Sequence, residues 1–74
     1  MSQTLGQKRV KAEFNPAKND LVDQIKNKSA ELIDLIEQMR ADLNSTGEKQ
    51  RLITLAQTEI EVGAMWAVKA CFTD

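Results

Sequence analysis

Apolar residues recur at helical spacing along the first long segment of the chain. Drawn at about 100° per residue, they fall on one narrow stripe: Leu21, Ile25, Leu32, Ile36, Met39 and Leu43. Asn15-Pro16 provides a start signal, because an Asn side chain caps free backbone N–H groups and Pro is tolerated at the first helical position. Asn19 is an alternative cap. The pattern therefore predicts a first helix that ends at Asn44.

A second helix is expected after the short polar linker Asn44–Gly47. Ser45 and Glu48 have the spacing of a capping box for this helix. Two helices joined by so short a linker lie antiparallel. The predicted fold is all-α: a two-helix antiparallel hairpin at residues 15–74, preceded at residues 1–14 by a basic N-terminal arm that is either mobile or a short docking segment.

The second helix has more apolar surface than one partner helix can cover. One face is expected to meet the first helix: Leu52, Leu55, Val62, Trp66 and Ala70. A second face remains: Ile53, Ala56, Ile60, Gly63, Ala64, Ala67 and Cys71. Together they span about 200°. A helical Gly costs about 1 kcal/mol relative to Ala, so Gly63 favours close packing with another backbone. We expect a homo-oligomer; the alternative is a loosely packed monomer with an exposed patch.

Composition narrows the function classes. A chain of 74 residues has room for one domain with a marginal core. It has no histidine and a single cysteine, Cys71, which exclude a classical zinc site and an intrachain disulfide. No catalytic constellation or glycine-rich phosphate loop appears. We therefore expect neither an enzyme nor a protein that needs a cofactor or a metal.

Apolar run length and charge bear on location and partners. The longest apolar stretch, Val62–Phe72, is too short for a bilayer and contains Lys69, and no signal peptide is apparent. We expect a cytoplasmic protein without a membrane partner. The net charge is −1. Residues 1–30 hold six basic and three acidic side chains, whereas residues 31–74 hold four and eight. This balance argues against a nucleic-acid polymer as partner, and the basic first third favours small anions.

Phe14 is the first candidate binding residue. As a hydrophobic staple it would need an apolar partner four residues into the helix. If Asn15 is the cap, that partner is the polar Asn19. Phe14 is then left either to cover a junction between subunits or to stack on a ligand.

Cations and hydroxyls supply further candidates. Lys26 lies at the rim of the apolar stripe and, with Lys18 and the N-terminal cluster that includes Arg9, could meet a phosphate near the positive end of the first helix. Arg51, Thr54 and Thr58 share one polar strip that could grip another phosphate. The alternative for all of these side chains is ordinary solvated helix surface.

Four segments together resemble a known family: Phe14-Asn15-Pro16, Ile25-Lys26, residues 30–34 (AELID) and residues 63–70 (GAMWAVKA). Over about residues 9–71 the chain is similar to small phage hairpin proteins that act as sponges for the cyclic nucleotides of bacterial CBASS immunity. Relatives of these proteins absorb the Thoeris signal. The resemblance implies a homohexamer in the cytoplasm of the infected bacterium. Cyclic dinucleotides would lie between its subunits and, in some members, cyclic trinucleotides in separate pockets.

The resemblance also assigns roles to individual residues. Phe14 would stack on a base, at a position where family members often have Tyr, and the missing hydroxyl removes one hydrogen bond. Lys26 would bind phosphate. Arg51 with Thr54 or Thr58 would form the trinucleotide site. The competing hypothesis is an oligomeric helical adaptor that docks a host protein on its apolar face.

Overall fold

Three α-helices and one 3₁₀ turn form the regular structure of the chain in the computed structural model, which describes residues 2–16 and 18–74. They are α1 (Leu5–Val10), α2 (Asp20–Glu37), the 3₁₀ turn Gln38–Ala41 and α3 (Gly47–Cys71). This part of the chain contains no strand, and the all-α hairpin predicted from the pattern is confirmed. None of the helices described is long and apolar enough to cross a membrane.

The first long helix begins later than its first start signal suggests. Asn19 is the N-cap of α2, and its side chain accepts hydrogen bonds from the N–H groups of Leu21 and Val22. Asn15 instead donates its side-chain amide to the Asn19 carbonyl and the Asp23 carboxylate, at 2.8 and 2.9 Å. The start at Asn15-Pro16 is therefore wrong, and the alternative cap Asn19 is confirmed.

The turn between the long helices also differs from its sequence prediction. The α-helix ends at Glu37 and narrows into the 3₁₀ turn, so it does not continue to Asn44. Thr46 caps α3 by accepting from the Lys49 N–H at 3.1 Å. The Ser45–Glu48 capping box is wrong, because the Ser45 hydroxyl accepts from the Gln50 side chain at 2.6 Å.

The segment ahead of the hairpin folds into the short helix α1. Thr4 caps this helix together with the side chain of Gln7. Gly6 lies directly against the backbone of Ala30, and its N–H donates to the Asp34 carboxylate at 2.7 Å. A Cβ atom at position 6 would lie 2.1 Å from the Ala30 carbonyl oxygen. Only glycine permits this approach, so α1 is docked on α2 through a backbone contact that no apolar period reveals.

Most of the predicted stripe lies outside the buried face of α2, although Ile25 is partly buried against the core. The buried side chains of α2 are Val22, Lys26, Ala30 and Ile33. Leu21, Leu32 and Met39, from the predicted stripe, are exposed. The physical reason is that α1 covers the side of α2 that carries Ala30, where small residues let two helices approach closely.

The two faces of α3 exchange the roles expected of them. Ile53 and Ala64, assigned to the surplus face, are buried in the hairpin. Trp66, from the face expected to meet the first helix, is 65% exposed. The other large side chains of that face are exposed as well: Leu52, Leu55 and Val62. Surplus apolar surface is therefore present, as expected, but it lies on the face of Trp66 and not on the face of Ile53 and Ala64.

Candidate functional site

Lys26 lies under the linker between α1 and α2. Its side chain was expected at the rim of the apolar stripe with its ammonium in solvent, but the residue is only 7% exposed. Its Nζ donates to the Lys11 carbonyl at 3.0 Å and to the Phe14 carbonyl. Lys11 caps the C-terminus of α1 in a left-handed conformation (φ 54°), which turns the linker back over α2. The Lys26 ammonium therefore anchors the segment that carries Phe14.

The Phe14 ring lies next to the same ammonium. Lys26 Nζ is 5.4 Å from the ring centroid, within the range of a cation–π contact. Phe14 is nevertheless 65% exposed, so the other side of its ring is open to a planar partner. The structure thus brings together Phe14 and Lys26, the two residues for which the family resemblance implies dinucleotide binding.

Burial lowers the pKa of the Lys26 ammonium below its usual value. The Asp23 carboxylate opposes this effect, and the positive charge of Lys11 adds to it. A desolvated cation close to a second cation gains more from an approaching anion than a solvated one does. The electrostatics at this end of the hairpin therefore favour a negatively charged ligand.

Phe14 borders two concave surfaces. A shallow depression of about 420 Å³ is lined by the ring, by Lys8 and Lys11, and by Glu13, whose carboxylate offsets part of their positive charge. A smaller cavity of about 140 Å³ lies on the side of Val22, Lys26 and Phe72. Such a position suits base stacking, because most of the Phe14 surface is accessible.

Lys18 and Arg9 do not join the Phe14–Lys26 pair. Lys18 is exposed in the turn before α2, with a left-handed backbone (φ 52°), and lies outside the lining of both concave surfaces. Arg9 pairs with Glu61 at 2.7 Å and donates to the Thr58 hydroxyl at 3.1 Å. These bonds connect α1 to α3, and the Glu61 carboxylate largely neutralises the Arg9 charge.

The polar strip on α3 lies on one helix face, but its members have separate partners. Arg51 forms an exposed ion pair with Glu48 at 2.6 Å. Thr54 accepts from Arg40 at 2.8 Å, and Thr58 accepts from Arg9. The structure therefore does not gather Arg51, Thr54 and Thr58 around one open pocket.

Arg40 and Gln57 form a polar network that the sequence pattern does not reveal. Arg40 donates to Glu37, Gln50, Thr54 and Gln57. Gln57 is 1% exposed and donates to the Ile33 carbonyl and the Glu37 carboxylate. Two hydrogen bonds lower the pKa of Glu37: the one from Gln57 has the larger effect, and the one from Arg40 the next largest. In the sequence, the only sign of this network is a polar residue, Gln57, within the apolar face of α3.

Comparison with known proteins gives a family match. The family model described as "Acb2/Tad1, hairpin domain" matches residues 6–72, from α1 to the end of α3. No curated protein and no solved structure matches the chain significantly.

Proposed function

The chain belongs to the Acb2/Tad1 hairpin-domain family, the anti-CBASS sponge family of small phage proteins, and we propose that it sequesters cyclic oligonucleotide messengers without cleaving them. Cyclic dinucleotides are the proposed main ligands and cyclic trinucleotides a second class. The proposed place of action is the cytoplasm of the infected bacterium. The observation that carries this proposal is the family match, which spans all three helices.

The Phe14–Lys26 pair supports binding at the α1–α2 linker. Stacking of a base on an aromatic side chain contributes about 1–3 kcal/mol. The ring offers its outer face to a base, while the partly desolvated ammonium beneath it contributes positive potential. Phenylalanine provides the stacking surface without a hydroxyl, so its contribution depends on the ring alone.

Exposed apolar surface supports the proposed assembly into a homo-oligomer, a hexamer by analogy with the family. Leu35, Leu52 and Trp66 are 60, 52 and 65% exposed. Full burial of an exposed side chain of this size contributes about 1.5–3 kcal/mol, and roughly half of that remains for side chains that are already about half buried. Subunit contacts would provide that burial, and pockets at the junctions would draw residues from more than one chain.

Sequestration requires affinity rather than chemistry. A nanomolar dissociation constant corresponds to about −12 kcal/mol. One exposed ring and one lysine fall short of this value, whereas stacking and several charge-assisted contacts from neighbouring subunits could reach it. Assembly would then be a condition of function.

Isothermal titration calorimetry with a panel of cyclic di- and trinucleotides tests the proposal. We expect tight binding of at least one dinucleotide, and recovery of the intact ligand after the complex is denatured. Absence of binding at micromolar concentration across the panel would refute the sponge function. Recovery of a linear product would refute sequestration without cleavage. A stoichiometric host protein that copurifies without nucleotide would favour the adaptor hypothesis.

Two variants are compared: Phe14→Leu removes the ring and keeps apolar bulk, whereas Glu31→Gln alters an exposed polar side chain of α2 outside the lining of both concave surfaces. We expect weaker dinucleotide binding in the first variant only.

A further inference from the structure

A groove between α1 and α3 brings together lysines from three parts of the chain. It has a volume of about 280 Å³, and its floor includes Val10, Ala64 and Val68. Lys11, Lys26 and Lys69 also line it. Ligand pockets for drug-sized molecules usually start at about 300 Å³, so this groove suits part of a cyclic dinucleotide rather than the whole ligand.

The charge of the groove is positive because its carboxylate is already paired. Glu61 lines the groove, but its Oε1 lies 2.7 Å from Arg9 Nε. Lys26 contributes positive charge, but two of its N–H groups already donate to backbone carbonyls. Lys11 and Lys69 are both exposed. These two lysines are therefore the groove cations best able to reach a ligand.

The groove shares lining residues with the surface around Phe14. Lys26 and Val68 line both the groove and the small cavity beside the Phe14 ring. Lys11 lines both the groove and the shallow depression that borders the ring. A nucleotide whose base stacks on Phe14 would therefore extend its sugar and phosphate toward Lys11 and Lys69.

Both lysines are partly held in place before any ligand arrives. Lys69 Nζ lies 5.5 Å from the centroid of the Trp66 ring, within the range of a cation–π contact. The Lys11 backbone is fixed by its N–H bond to Lys8 and by its carbonyl, which accepts from Lys26. Such restraint reduces the entropy that is lost when a ligand binds.

We propose that Lys11 and Lys69 contact a phosphodiester group of the cyclic nucleotide whose base stacks on Phe14. The site is assembled from the C-cap of α1 and the last turn of α3. This inference rests on the proposed sponge function, and it assigns phosphate contacts to residues on both sides of the groove.

Single-charge variants measured by calorimetry test the assignment. Lys11→Gln and Lys69→Gln should each weaken dinucleotide binding about tenfold, the effect of losing one charge-assisted contact near a solvated surface. Lys69→Arg should largely retain the affinity. The matched control Lys28→Gln removes one positive charge from an exposed position of α2 outside the groove lining, and its affinity should stay close to that of the unmodified protein.

A salt titration adds a second readout. The affinity of the unmodified protein should fall as ionic strength rises, and this dependence should be weaker in Lys11→Gln and Lys69→Gln than in Lys28→Gln. Circular dichroism spectra of all variants should match, because both lysines are exposed.

The possible failures are distinguishable. If the unmodified protein binds a dinucleotide and the Lys11 and Lys69 variants bind it as tightly as the Lys28 variant does, this inference is wrong and the sponge function stands. If the unmodified protein binds no member of the panel, both proposals are wrong.

Discussion

Substitution of Gly6 by alanine tests whether α1 is a fixed part of the fold. The new Cβ would lie 2.1 Å from the Ala30 carbonyl oxygen and 2.7 Å from two further backbone atoms of Ala30. Ordinary van der Waals contact begins at 3.4 Å, so α1 must move by about 1 Å or more. This movement stretches the 2.7 Å hydrogen bond from the Gly6 N–H to Asp34 and loosens the packing of Val10.

The expected cost follows from two opposing contributions. Overpacking of a close contact costs about 1–3 kcal/mol, and the clash is with backbone, which cannot rotate away. Alanine recovers up to about 1 kcal/mol through its higher helix propensity. We therefore expect a loss of about 1–2 kcal/mol in the free energy of unfolding. In a domain of this size such a loss lowers Tm by about 5–15 °C.

Thermal denaturation followed by circular dichroism measures this change, at one fixed protein concentration because assembly couples stability to concentration. Gly47→Ala is the matched control, since a Cβ at Gly47 meets nothing within 4 Å. Amide hydrogen exchange should also accelerate throughout α1. If Gly6→Ala were as stable as Gly47→Ala and α1 kept its protection, the docked position of α1 would be refuted.

Three further substitutions test the linker, the polar network and the proposed assembly. Lys26→Met should weaken dinucleotide binding at least about tenfold and shift the NMR signals of the Phe14 ring, because the linker loses both anchoring hydrogen bonds; unchanged affinity would contradict the proposed role. Glu37 has a lowered pKa in the fold, so its stabilising contribution is present above pH 4.5 and is lost as the pH falls through its folded value. Glu37→Gln should therefore flatten the acid limb of a pH-dependent urea denaturation series, and Glu31→Gln, on exposed α2 surface, should leave it steep; equal slopes would count against the network. Gly63→Leu has free space within its own chain, and we expect it to lower the oligomer mass in light scattering, because the added side chain would separate two closely packed subunits; an unchanged mass would exclude Gly63 from the subunit contact.

Local signals in the sequence located the long helices but misjudged their ends. The spacing of apolar residues in both segments is regular enough to identify helices, since periodicity depends only on residue order. The caps were harder, because Asn15 and Ser45 have the right chemistry at nearly the right places. Their side chains are used elsewhere, by Asn19 and Gln50, and only three-dimensional contacts decide between such competing partners.

The candidate site was also predicted only in part. Phe14 and Lys26 stand out as an unpaired aromatic residue and a lysine at a helix rim, and the fold brings them within 5.4 Å. Lys26 donates to the Lys11 and Phe14 carbonyls because the backbone turns at Lys11 in a left-handed conformation. A lysine in the sequence does not predict such a conformation. Arg9 gives no sequence sign of its pairing with Glu61, 52 positions away.

By itself, the sequence determined the helical class, the hairpin and the excess of apolar surface, because these follow from composition and from order along the chain. The tertiary structure alone decided which apolar face is buried. Hydrophobic spacing shows which side chains favour burial, but close packing depends on how near two backbones can come. At Gly6 and Ala30 they come into contact, which places α1 on the Ala30 side of α2, while large apolar side chains such as Trp66 stay on the surface of the chain.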